Sequence, residues 1–74
     1  MADIPLKRFF AQTSSIEDLL EQLNILKSRG TKTIVGPYSR LISIDLIIKV
    51  TELLQYDRSK DDIYKEIVHI ETGH

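Results

Sequence analysis

Residues 14–30, SSIEDLLEQLNILKSRG, run directly into 31–37, TKTIVGP, and the hydrophobic period changes at the junction. Ser14 and Glu17 have the spacing of a capping box, in which each side chain satisfies the other's free backbone N–H. Ile16, Leu19, Leu20, Leu23 and Leu26 then share one helical face. Glu17, Asp18 and Glu21 suit the positive end of the helix dipole, Lys27 and Arg29 the negative end, and Gly30 the left-handed stop. Thr31 to Val35 is a β-branched run that predicts a strand, closed by Gly36-Pro37.

Downstream, Pro37 to Arg40 reads as a loop into a second helix over about Ile42–Tyr56, with Leu46, Val50, Leu53 and Leu54 on one face. Ile44, Ile47 and Ile48 widen that face beyond what one sheet can cover, which points to a second subunit packing on them and so to a homodimer interface. Upstream, residues 4 to 12 (IPLKRFFAQ) show no helical stripe and are read as a short strand or ordered arm with Pro5 at its edge. The tail is open between two readings. Ser59 with Asp62 repeats the capping-box spacing, and Ile63, Ile67 and Ile70 follow at helical intervals. The same residues, rich in β-branched and aromatic groups, would also serve as a last strand. The expected fold class is therefore α/β (α+β), in the order strand-helix-strand-helix-strand; the alternative is a mainly helical chain with a third helix over residues 59–71.

The 74 residues are expected to form one small domain, 42% hydrophobic and 28% charged. A core of this size is marginal alone, and with no cysteine there is no disulfide or thiolate metal site, so association of subunits is the common remedy that remains. No stretch approaches the roughly 18 apolar residues of a membrane span, and Met1 to Gln12 lacks the apolar run of a signal peptide, so a cytoplasmic protein away from membranes is expected. The formal net charge of -1 argues against a strongly basic, nonspecific nucleic-acid coat. Distribution matters more than the total. Residues 1–40 hold six cations against four anions, net +2, whereas residues 41–74 hold four against seven, net -3.

Catalytic parts are scarce. His69 and His74 are the only histidines, and His74 is terminal. Asp57, Asp61, Asp62 and Glu66 match no calcium loop, and Gly36 is not part of a glycine-rich phosphate loop. A non-enzymatic protein without cofactor or metal is expected. Lys7-Arg8-Phe9-Phe10 joins charge to aromatic rings, a combination that can contact phosphate and stack a base. Arg40 follows a Gly-Pro turn with no carboxylate in its local sequence.

The pattern of elements resembles the Alba superfamily of small archaeal chromatin and RNA-binding proteins, whose relatives include ribonuclease P subunits. Ile16-Glu17-Asp18 through Gly30 is similar to the family's first helix, Thr31 to Val35 to its next strand, and Ser39-Arg40-Leu41-Ile42-Ser43 to its Gly-Arg-x-Ile-Ser entry into the second helix. Ile67 to Gly73 resembles its third strand and the turn after it. Thr13, Ser14 and Ser15 stand where the family carries lysines, and the family's fourth strand has no counterpart before His74. The resemblance implies a two-layer α/β sandwich, a dimer closed through the second helix, and nucleic acid held on basic loops.

These readings lead to a nucleic-acid-binding homodimer, for RNA rather than DNA, whose face combines Lys7, Arg8, Lys32, Tyr38 and Arg40. The alternative is a protein-interaction or assembly module without nucleic-acid binding. A ribbon-helix-helix reading of Arg58-Ser59-Lys60 and the apolar stripe behind it is disfavoured by Gly36-Pro37, which would interrupt the inserting strand.

Overall fold

In the computed structural model, which describes residues 4–72, the Ser14–Gly30 stretch folds as its pattern dictates. Helix α2 spans Ile16–Ser28 and buries Leu19 and Leu23. Its cap sits one residue later than the spacing suggests: the Asp18 amide donates to Ser15 Oγ (3.1 Å), and the Ser14 amide donates to Asp18 Oδ2 (3.0 Å). Two adjacent serines and two adjacent acids make either frame chemically possible. At the other end Gly30 adopts φ +88°, its amide donates to the Lys27 carbonyl, and the Thr31 amide donates to the Leu26 carbonyl. That pair of bonds is a Schellman motif.

The full order is α1 (Leu6–Gln12), α2, β1 (Thr33–Val35), β2 (Leu41–Ser43), α3 (Ile44–Leu54) and α4 (Lys60–Thr72). The chain is mixed α+β, as expected, but its sheet is a two-stranded antiparallel hairpin with Thr33 opposite Ser43, Ile34 opposite Ile42 and Val35 opposite Leu41. Residues 42 and 43, read from sequence as the start of the second helix, thus belong with Leu41 to the returning strand. The second helix begins only at Ile44, whose amide donates to the Lys32 carbonyl just beyond the ladder.

Both ends of the expected strand-helix-strand-helix-strand order change. Residues 6–12 form a helix because Leu6, Phe9 and Phe10 recur at i, i+3 and i+4 and are all buried. Only Pro5 keeps strand character, as a parallel bridge to Val35. The Thr13 hydroxyl donates to the Phe10 carbonyl at the helix end. The tail is also helical, in line with the alternative of a helix over 59–71. Ser59 Oγ accepts from the Asp62 amide at 3.2 Å, and Ile63 and Ile67, one turn apart, are fully buried. Of the segment likened to a third strand, residues 67–72 are therefore helical and Gly73 lies outside the described residues.

The isoleucines expected at a dimer interface lie in the core of one chain: Ile44, Ile47 and Ile48 are 1%, 0% and 9% exposed. α3 packs against both α2 and α4, and the isoleucines that widen its apolar face are buried within the one chain. Leu53, assigned to the inner stripe, is the residue left outside. α1 leans on α4 through an edge-to-face contact of Phe10 with Tyr64, ring centroids 5.6 Å apart, and through Lys60 Nζ, which donates to the Thr13 carbonyl. Among the described residues no helix is long and apolar enough to cross a membrane.

Two substitutions test this packing. Leu6 is fully buried, so Leu6→Ala is expected to destabilise the protein by about 2–5 kcal/mol in urea unfolding, far more than an arm residue would. A Cβ on Gly36 would collide with Ile42 Cδ1 and come within 3.1 Å of Ile42 Cγ1. Since Ile42 is fully buried, Gly36→Ala is expected to cost about 1–3 kcal/mol by overpacking, measured by thermal melting.

Candidate nucleic-acid interface

The hairpin connection Gly36–Arg40 is closed by two hydrogen bonds, from the Gly36 amide to the Arg40 carbonyl (2.6 Å) and from the Arg40 amide to the Pro37 carbonyl (3.3 Å). The second spans four residues whose central pair, Tyr38 and Ser39, both have φ +60°. Positive φ at both central positions is the signature of a type I′ turn, which matches the twist of a hairpin and is usually built from Asn-Gly. Tyrosine and serine there each carry a left-handed cost of roughly 1–2 kcal/mol. The turn holds Tyr38 out at the tip, 85% exposed.

Beside it, the Arg40 guanidinium donates through Nη1 to the Glu71 carbonyl at 3.1 Å. This is a cation on the last turn of α4, where the helix dipole favours positive charge. Arg40 thereby ties the hairpin to α4 and keeps further N–H donors on the exposed guanidinium. Tyr38, Arg40, Val68 and Thr72 line a shallow surface pocket of about 350 Å³ between the hairpin tip and α4.

Strand pairing brings α1 to the same end. Pro5, immediately before α1, bridges Val35, which pairs with Leu41 next to Arg40. Lys7 and Arg8 are exposed in the first turn of α1. Four of the five residues expected in a nucleic-acid face, Lys7, Arg8, Tyr38 and Arg40, thus belong to segments that meet at this end of the hairpin. Lys32 does not join them. It precedes Thr33 at the other end of the ladder, beside a groove that also includes Lys27 and Asp45. Lys27 and Asp45 form an ion pair there at 2.7 Å, worth little at such exposure.

Val68 and Thr72 are the lining residues that sequence reasoning missed. Their signal is visible only once the tail is known to be a helix, because i and i+4 then fall on one side. Among the described residues no three His, Asp or Glu side chains gather as ligands for a metal ion.

If strain is stored at the tip to present Tyr38, relieving it must stabilise the fold. Replacing Tyr38-Ser39 by Asn-Gly is expected to raise stability by about 1 kcal/mol, seen as a rise in Tm of about 4–8 °C. An unchanged or lower Tm would mean that the turn is not strained. The chain matches no family model, no curated protein and no solved structure.

Proposed function

We propose that this protein is a non-catalytic RNA-binding domain that holds single-stranded RNA at the hairpin end. The observation that carries this reading is the meeting of the Lys7-Arg8 turn, Arg40 and an outward-held Tyr38 at one end of the molecule. Cations there contact phosphate, and the tyrosine ring offers a stacking surface to an unpaired base, which duplex DNA does not supply. The likeness of Ser39-Arg40-Leu41-Ile42-Ser43 to the Alba superfamily points to the same class of ligand. The interface needs one copy of the chain, since the isoleucines expected to join two copies are buried. A homodimer would have to form through another surface. With few phosphate contacts and a net charge of -1, binding is weak and sensitive to salt.

Arg40 is a poor first mutant because losing its bond to Glu71 also removes about 0.3–1 kcal/mol of helix stabilisation. Lys7, Arg8 and Tyr38 are cleaner probes. Fluorescence anisotropy with a labelled single-stranded RNA of about 12 nucleotides is expected to give a micromolar Kd at about 50 mM salt, weakening several-fold or more at about 200 mM. Lys7→Glu with Arg8→Glu, or Tyr38→Ala alone, is expected to weaken binding about tenfold, whereas Lys32→Glu, at the other end of the hairpin, leaves it within about twofold. Equal losses from Lys32→Glu and Lys7→Glu/Arg8→Glu would reduce the effect to overall charge. No binding at low salt would end the proposal.

A further inference from the structure

A second surface lies between α3 and α4, independent of the hairpin end and of the RNA reading. α3 contributes Val50, Leu53 and Leu54 and α4 contributes Ile70 to the apolar part of a groove of about 300 Å³. Leu53 is 69% exposed and Ile70 46%, in a chain that otherwise buries its aliphatic residues on these helices well. The α4 wall continues with Asp62 and Glu66, which with Ile70 recur every four residues and so form one ridge. The single ion pair among the described residues is Lys27–Asp45, so neither of these carboxylates has a paired cation there. The groove therefore has an aliphatic wall on α3 and an acidic ridge on α4. Arg58, in the connection between the helices, closes one end.

Both walls are helices, with backbone groups already bonded internally, and neither offers a strand edge. An occupant must satisfy its own backbone, which selects a helix over an extended peptide. Aliphatic contact with Leu53 and Ile70 requires an apolar stripe, and Asp62 and Glu66 require cations along its flank. The same carboxylates repel a phosphate chain, so RNA does not belong here. We propose that the α3–α4 groove docks an amphipathic helix of another protein, with aliphatic residues at i, i+3 and i+7 and lysine or arginine along the edge that faces Asp62 and Glu66. The contact is small, in the range of transient recognition.

Titration of the isotope-labelled chain with a synthetic acetylated peptide tests this. The peptide has about 14 residues, with leucines at helical spacing and lysines on one flank. The expected result is a saturable shift of the Val50, Leu53, Leu54 and Ile70 amide resonances with a Kd of about 10–300 μM. Leu53→Ser, at an exposed site whose change leaves the remaining spectrum in place, should weaken binding at least about fivefold. Asp62→Asn with Glu66→Gln should weaken it similarly and remove most of its salt dependence. A peptide with glutamates in place of the lysines should bind about tenfold more weakly. Equal binding by both peptides, shifts mapping elsewhere, or none up to about 1 mM would overturn the proposal. So would groove shifts that depend on protein concentration without peptide, because they would assign the surface to a second copy.

Discussion

Everything in this fold hangs on the double burial of α3. Its isoleucines at 44, 47 and 48 are buried on a helix that packs against both α2 and α4, and Thr51, also fully buried, is tolerated because its hydroxyl donates to the Ile47 carbonyl at 2.7 Å. A short chain usually lacks the surface to cover a helix on two sides and turns to a partner instead. Here the tail supplies the cover. That one choice fixes the remaining geometry: α4 is drawn onto α3, α1 is drawn onto α4, and the hairpin is left to hold the near ends of the helices together. The radius of gyration, 11.3 Å, matches the about 11 Å of a folded chain of this length.

How much could be read in advance depends on how local the controlling interaction is. α2 carries its own instructions, cap, stripe and glycine stop within a few turns, and only the frame of the cap moved by one residue. The Ser59 cap was equally visible, since an N-cap is a contact between residues three apart. The first helix was hidden because seven residues give only one repeat of a stripe, and Leu6, Phe9 and Phe10 are as acceptable in a strand as in a helix. β2 was hidden because Leu41-Ile42-Ser43 continues smoothly into α3, and only its partner across the turn separates the two. The cover over the isoleucines of α3 was hidden for the same reason, and of the stripe assigned inside, only Leu53 lies out in solvent. Periodicity shows that a helix has two apolar faces, whereas which one receives α4 is decided by a segment some fifteen residues away.

For the candidate interface, residue type was the legible part and position the illegible part. Lysines and arginines can be picked out of a sequence, but their grouping depends on the Pro5–Val35 bridge and the Arg40–Glu71 bond, both of which join residues about thirty apart. Lys32 was separated from the others only by hairpin register. The strain at Tyr38 and Ser39 was unreadable for another reason: nothing in either residue type advertises positive φ, and the pair is accepted because Gly36 and Arg40 close the loop around it.

The docking of α1 on α4 has a kinetic side. The first helix made is covered mainly by the last one, through Phe10 against Tyr64 and Lys60 against the Thr13 carbonyl. During synthesis, Phe10 therefore emerges without its aromatic partner until almost the whole chain is available. α2, the hairpin and α3 can assemble among neighbours, but closure of the core waits for contacts of high sequence separation. A nascent or truncated chain lacking α4 loses the cover that this helix gives to α3 and to Phe10 of α1. Loss of the last helix thus turns a folded protein into one that adheres to other chains.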